Sequence, residues 1–239
     1  MTTDLSSQIQ LHTFPDPAAL AESLAATIAD NLRSALAARD HASLALSGGN
    51  TPKRFLQALS RQALPWRNVG VTLVDERWVP ESNERSNARL LRENLLHGAA
   101  AEARFLPLHR DTPEPEQALA GIERDLAALP SPFDALVLGM GNDGHTASFF
   151  PGGDRLADAV DPATTSKVLP MRAPDAGEPR ITLTLPTILA ARHLYLHVEG
   201  TGKRHVLDAA VAGVGEGADY PIRNVLQHAA LPVQVFYAA

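Results

Sequence analysis

Short apolar runs and longer amphipathic stretches alternate along this chain almost from end to end. Ile9 to Phe14, Ser43 to Leu46, Val69 to Val74, Arg104 to Leu108, Phe133 to Leu138, Lys167 to Met171, Ile181 to Leu185, His193 to Val198 and Pro232 to Tyr237 have the length and apolar character of strands. Helical periodicity marks Pro17 to Ala38, Pro52 to Leu64, Ser86 to Leu96, Pro115 to Leu129 and Lys203 to Val211. Pro17 suits a first helical turn, and Ser86 or Asn87 is a natural cap for the third helix. Such alternation predicts an α/β fold with a mainly parallel sheet covered by helices on both faces. Residues 151–163 and 173–179, rich in Gly, Pro and Asp, read as loops, and Gly213 to Gly217 as a glycine-rich connection. No internal repeat or shift of composition divides the chain, so residues 1–239 are expected to form one domain.

Composition narrows the function more than the fold. The chain has 239 residues, 45% hydrophobic and 20% charged, values that allow a sizeable core. A net charge of −6 argues against a general nucleic-acid binder, which needs a broad basic face. A small anionic ligand stays possible, since two or three clustered cations can hold a phosphate. Cysteine is absent, so disulfides, thiolate nucleophiles and Cys-ligated zinc are not available. The opening residues carry no basic-then-apolar leader, and no apolar window is long enough to span a bilayer. A cytoplasmic location is therefore expected.

The richest segment runs from Asp134 to Pro151, DALVLGMGNDGHTASFFP. An apolar run ends in Gly139, Gly141 and Gly144, and the turn then delivers Asp143 and His145 two positions apart. In open α/β sheets ligands sit outside the carboxyl ends of strands. Histidine is the side chain best suited to take and return protons near neutrality. The plainer reading makes Asp143 a cap and His145 a surface residue, since this spacing alone does not bring the two side chains together. A metal centre lacks a third ligand at diagnostic spacing, and no G-x-S-x-G elbow supports a serine hydrolase. Activation of water is the simplest use of His145.

Three other segments offer ligand contacts. Ser47, Gly48, Gly49, Asn50 and Thr51 link a strand to a helix opened by Pro52, where backbone N–H groups and the helix dipole favour an anion. This is neither a Walker loop nor a dinucleotide fingerprint, and taken alone the segment reads more simply as a strand–helix turn with a Thr cap and Pro at the first helical position. Asp75-Glu76-Arg77 crowds charge at the end of an apolar strand. Arg77 could grip a phosphate or carboxylate, and Asp75 could bind sugar hydroxyls or orient the arginine, against the alternative of a surface ion pair. Arg180 precedes an apolar strand, and Lys203 follows Gly200-Thr201-Gly202 in the first turn of a helix. A cation there opposes the helix dipole unless an anion lies nearby.

Taken in order, SGGNTP at Ser47 to Pro52, DERWVP at Asp75 to Pro80 with Ser86-Asn87, GMGNDGHTASFFP at Gly139 to Pro151, and GTGK at Gly200 to Lys203 resemble the 6-phosphogluconolactonase family. The likeness spans essentially the whole chain. It implies a three-layer Rossmann-like fold shared with glucosamine-6-phosphate deaminase and ribose-5-phosphate isomerase. It further implies hydrolysis of 6-phospho-D-glucono-1,5-lactone to 6-phospho-D-gluconate in the oxidative pentose phosphate pathway, with no metal or organic cofactor. The related deaminases resemble one another in a carboxylate five residues after the turn histidine; here that position is Phe150, which cannot transfer a proton.

On this resemblance His145 and Asp143 are the expected catalytic pair. Ser47, Gly48, Gly49, Asn50, Thr51, Asp75, Arg77, Arg180 and Lys203 are the expected substrate contacts. Which cation takes the phosphate and which faces the lactone carbonyl stays open. The expected partner is a phosphorylated sugar lactone, with neither nucleic acid nor membrane, and the expected state a monomer or weak homo-oligomer. The competing readings are an amino-sugar phosphate deaminase, a sugar-phosphate isomerase and a non-catalytic sugar-phosphate sensor.

Overall fold

The computed structural model describes residues 3–174 and 176–239. Seven strands form one sheet: β1 (Ile9–Phe14), β2 (Ala42–Leu46), β3 (Val69–Leu73), β5 (Arg104–Leu106), β6 (Ala135–Leu138), β9 (Leu194–Glu199) and β10 (Val233–Ala238). Their spatial order is β1-β10-β9-β6-β2-β3-β5, and every adjacent pair is parallel. β2, β3 and β6 are buried at every residue, as strands covered on both faces must be. From β2 the chain first builds outward through β3 and β5. It then returns to the other flank of β2 with β6, and continues through β9 and β10. The reversal between β2 and β6 is the topological switch point, where a doubly wound sheet opens a crevice beyond its strand ends.

Helix α1 (Pro17–Arg39) shows how locally these elements are encoded. Asp16 caps it by accepting from the Ala19 N–H at 2.8 Å, with Pro17 at its start. Leu20, Leu24, Ile28 and Leu32 recur every four residues and are fully buried on its inner face. Asp40, in the left-handed region at φ 61°, ends the helix. The remaining helices are α2 (Lys53–Ser60), α3 (Asn87–Asn94), α4 (Leu119–Ala127), α5 (Leu156–Ala159), α6 (Leu185–Leu189), α7 (Thr201–Ala212) and α8 (Ile222–His228).

The strand and helix pattern agrees with the sequence in order and type, and departs from it in instructive places. β5 stops at Leu106 because Pro107 has no N–H to continue the ladder. Helix α2 ends at Ser60, short of the expected Leu64, and Pro115 to Ala118 form a 3₁₀ turn before α4 begins. The stretch 151–163 contains α5, and Ile222 to His228 form a helix that sequence periodicity missed because it is only seven residues long. Within 173–179, Asp175 lies outside the described residues.

The main addition is a second, antiparallel sheet. β4 (Asp75–Arg77), β7 (Val168–Met171) and β8 (Arg180–Leu183) pair in the order β4-β8-β7. The expected strands at 167–171 and 181–185 therefore belong to this small sheet and not to the parallel one. Pro170 sits on its edge strand β7, where a missing donor is tolerated. The register sets Arg77 opposite Arg180 and Asp75 opposite Thr182. The small sheet thus becomes one wall of the crevice opened by the large one.

Candidate active site

The two loops at the switch point touch. Ser47 follows β2, and its N–H donates to Val137 O on β6 at 3.0 Å. A Cβ at Gly139 would lie 3.5 Å from Ser47 Oγ, so the glycine leaves little more than contact distance between the loops. Around this junction lies a cleft of about 290 Å³. Ser47, Gly48, Gly49, Asn50, Thr51, Asp75, Arg77, His145, Arg180 and Lys203 all line it. Ten candidate residues from five separated segments converge on one crevice. Asp143 is behind its histidine and not on the lining.

The turn that carries His145 is closed by its own backbone. Gly141 N–H donates to His145 O at 2.9 Å, Gly144 N–H donates to Gly141 O at 3.2 Å, and Gly144 adopts φ +73°. A side chain at Gly144 would collide with the Tyr220 ring, so glycine is required there on both counts. Asp143 does not cap a helix. Its Oδ1 lies 2.5 Å from His145 Nδ1 and also accepts the His145 backbone N–H at 3.2 Å. Partial burial pushes the Asp143 carboxyl up, but the hydrogen bonds and charge of His145 outweigh this and hold it below the usual carboxylate range. The ionised carboxylate thereby fixes the proton on Nδ1 and leaves Nε2 as the free nitrogen.

Past His145, Thr146 Oγ1 donates to Gly139 O at 2.8 Å, and Ala147 takes the left-handed φ of 49°. That reversal, uncommon for a residue with a side chain, brings Phe150 back against the imidazole with ring centroids 4.6 Å apart. The same ring receives the Arg180 guanidinium 5.3 Å from its centroid. Phe150 thus lies between the imidazole and a cation.

Three cations share the cleft with His145. Arg180 is buried and donates from Nη2 to Ala176 O at 2.8 Å, while its Nε has no partner among the described residues. Burial lowers its pKa, partly offset by the charge of Asp75. Arg77 donates to Arg85 O, and its Nε is likewise buried without a partner. Lys203 Nζ donates to Thr51 Oγ1 at 3.1 Å. Burial lowers its pKa, partly offset by Glu199. Among the described residues, none of these three cations has a carboxylate within ion-pair distance, although the surface of the chain is laced with arginine–carboxylate pairs. Thr51 does not cap α2; its hydroxyl is turned to Lys203.

Asp75 does not pair with an arginine either. Its Oδ2 accepts from Ser148 Oγ at 2.6 Å, which ties the small sheet to the histidine turn. Two polar side chains on the lining, His197 and Asn87, are not among the expected site residues. His197 projects from β9, with Nε2 2.9 Å from Glu199 Oε1, and only its place one strand from the switch point could have marked it. Asn87, expected as no more than a cap, lines the cleft and donates from Nδ2 to Asp75 O at 3.0 Å. No three His, Asp or Glu side chains gather as a metal-binding group among the described residues.

A doubly wound sheet with its crevice at the switch point, holding an imidazole–carboxylate pair together with three cations, defines an α/β enzyme of the Rossmann-like class. The chain belongs to the glucosamine-6-phosphate isomerases/6-phosphogluconolactonase family, whose model matches residues 15–233. It is 52% identical to a 6-phosphogluconolactonase of Rhizobium meliloti, over 95% of this chain and 98% of that protein. It is 51% identical to a 6-phosphogluconolactonase of Mesorhizobium japonicum, over 95% of this chain and 94% of the relative. The crystal structure of a 6-phosphogluconolactonase from Shewanella baltica superposes with a TM-score of 0.93 at 38% identity, covering 99% of this chain and all of that one.

Proposed function

We propose that this protein is a 6-phosphogluconolactonase that hydrolyses 6-phospho-D-glucono-1,5-lactone to 6-phospho-D-gluconate through water activated by His145. The observation that carries this reading is the imidazole itself. Its Nδ1 is engaged by Asp143, and it stands in a cleft also lined by three cations that have no carboxylate partner among the described residues. Family membership and half-identical relatives that carry the lactonase name support the substrate.

In this mechanism Nε2 of His145 takes a proton from water as the oxygen attacks the lactone carbonyl carbon. The carbonyl π pair moves to oxygen, and a neighbouring backbone N–H or cation steadies the oxyanion. The intermediate collapses with cleavage of the bond to the ring oxygen, which receives the proton from the imidazolium. Water is added across one ester bond, and His145 ends as it began. Asp143 stabilises the transient imidazolium. Ser47, Gly48, Gly49, Asn50 and Thr51, with Arg77, Arg180 and Lys203, hold the phosphate and ring, and Asp75 addresses sugar hydroxyls. No metal or organic cofactor enters the scheme.

Phe150 speaks for this reaction over amine loss, because it fills with hydrocarbon the place beside His145 where a second proton-transferring group would stand. The deciding experiment is a rapid assay on freshly generated lactone, wild type against His145→Ala. The variant should lose about 10²–10⁴-fold in kcat and keep its affinity for 6-phosphogluconate. Full turnover in the variant removes His145 from the mechanism.

A further inference from the structure

The most heavily committed polar group outside the proposed chemistry is Glu76. It is fully buried between two residues that line the cleft, Asp75 and Arg77's strand on one side and α3 on the other. Four donors converge on its carboxylate. Oε1 accepts the backbone N–H of Arg77 at 2.8 Å and of Asn87 at 2.8 Å, while Oε2 accepts the N–H of Ala88 at 2.7 Å and the Ser86 hydroxyl at 3.1 Å. Among the described residues it has no cation partner, so its burial is compensated by hydrogen bonds alone.

Capping explains only part of the arrangement. Ser86 caps α3 through the Arg89 N–H at 3.2 Å, and Glu76 satisfies the free N–H groups of Asn87 and Ala88 as well. What the carboxylate adds is a bond between two elements, the first turn of α3 and the backbone of β4 at Arg77. Asn87 extends the connection to a third. Its Nδ2 donates to Asp75 O, and its Oδ1, buried and without a partner, presses against Gly48 so closely that a Cβ there would lie 1.9 Å away. Gly48 is thus a glycine because the Asn87 amide occupies the space of its side chain.

We propose that Glu76 is a positioning residue for substrate binding: through Asn87 it locks the Ser47–Thr51 loop against the Asp75–Arg77 strand, so that two walls of the cleft hold one spacing. It touches neither His145 nor Asp143. The inference rests on the lactonase reading only for its substrate.

The test compares wild type with Glu76→Gln, Asn87→Ser and the double variant, measuring kcat and KM on the lactone and the Kd for 6-phosphogluconate by calorimetry. Glutamine keeps the shape but turns an NH₂ toward backbone N–H donors. KM and Kd should rise about tenfold with kcat within about threefold, because positioning is lost from binding and not from the proton transfer. The effects of the two single variants should be less than additive in the double. A purely structural role would lower the melting temperature and the active fraction while leaving KM and Kd unchanged, and that result overturns the proposal. Full additivity overturns the route through Asn87. Should the glutamine variant fail to fold, Glu76→Asp retains the charge and withdraws it by one methylene; it should raise Kd, and an unchanged Kd is equally fatal. Failure of the wild type to turn over lactone would refute the activity instead, leaving the binding comparison to judge Glu76.

Discussion

Gly141→Ala tests the site without touching a reacting group. An alanine methyl at this position would fall 2.2 Å from Cε1 and Nδ1 of His145 and 2.5 Å from Asp143 Oδ1. Comfortable carbon contacts lie at about 3.5–4.0 Å, so the imidazole and carboxylate must retreat by over about 1 Å. The backbone cannot absorb this easily, because Gly141 N–H is bonded to His145 O at 2.9 Å across the same turn. Gly141 is not in the left-handed region, so alanine is sterically allowed in its main chain and the perturbation acts on the pair alone. A misplacement of this size costs on the order of 10²-fold in rate. The loss should therefore fall at the low end of the range expected for removing the imidazole. KM should stay within about threefold, since the three cations are untouched. Stopped-flow measurement of acid release from fresh lactone, with spontaneous hydrolysis subtracted, gives both constants. Overpacking should also lower stability by about 1–3 kcal/mol, so the folded fraction is checked by thermal melting in the assay buffer. A folded variant with kcat within threefold of wild type would refute the assigned geometry of the pair.

Other consequences follow from the charges. Lys203→Met keeps the length of a half-buried side chain and removes its ammonium; KM should rise about tenfold with little change in kcat, and unchanged constants would exclude Lys203 from the binding wall. Glu76 makes stability depend on pH. Burial pushes its carboxyl up to about 7 from an ordinary 4.5, against the hydrogen bonds from Asn87, Ala88 and Arg77, and with a further rise from Asp75. The folded form then holds this proton more tightly than the unfolded form. Its contribution to stability is present below pH 4.5 and is lost as pH rises through about 7, a change of at most a few kcal/mol. Urea melts across that window, wild type against Glu76→Gln, should show the excess slope only in the wild type; parallel curves would contradict it.

Much of this was legible in the sequence, for identifiable physical reasons. Buried parallel strands are short apolar runs, and α1 carries its cap, its period and its terminator within its own residues. The site was legible because glycine turns at strand ends are where polar side chains can be presented. What sequence alone could not give was pairing. Val168–Met171 and Arg180–Leu183 read as strands, but nothing local says that they leave the parallel sheet and enclose Asp75–Arg77 in an antiparallel one. That three-residue strand is too short and too charged to register as a strand at all. Glu76 was hidden for the same reason: between Asp75 and Arg77 it looks like one more surface charge, and three of its four donors come from ten to twelve residues further on. The role of Asn87 against Gly48 depends on two loops meeting, and no periodicity encodes that.

The register of the small sheet explains why the cleft is suited to an anion before any ligand is considered. Arg77 and Arg180 are direct cross-strand partners, and like charges at such positions destabilise a sheet by roughly 0.2–1 kcal/mol. Relief by nearby carboxylates would be the ordinary remedy, and the chain uses it freely elsewhere, as in the pairs Arg85–Glu178 and Arg92–Glu81. The nearby carboxylates are engaged differently: Asp75, on the lining, by Ser148, and Glu76, buried behind it, by four backbone and hydroxyl donors. Among the described residues both guanidinium groups keep a buried Nε unsatisfied, and Arg180 is steadied by an aromatic face and one carbonyl. An anion entering the cleft would meet two guanidinium groups without a carboxylate partner among the described residues and would offset their mutual repulsion. Phe150 links that event to the chemistry, because the ring beneath Arg180 is also the ring against His145. An anionic or carbonyl oxygen held by Arg180 would therefore stand across one aromatic ring from the imidazole, whichever part of the substrate supplies it.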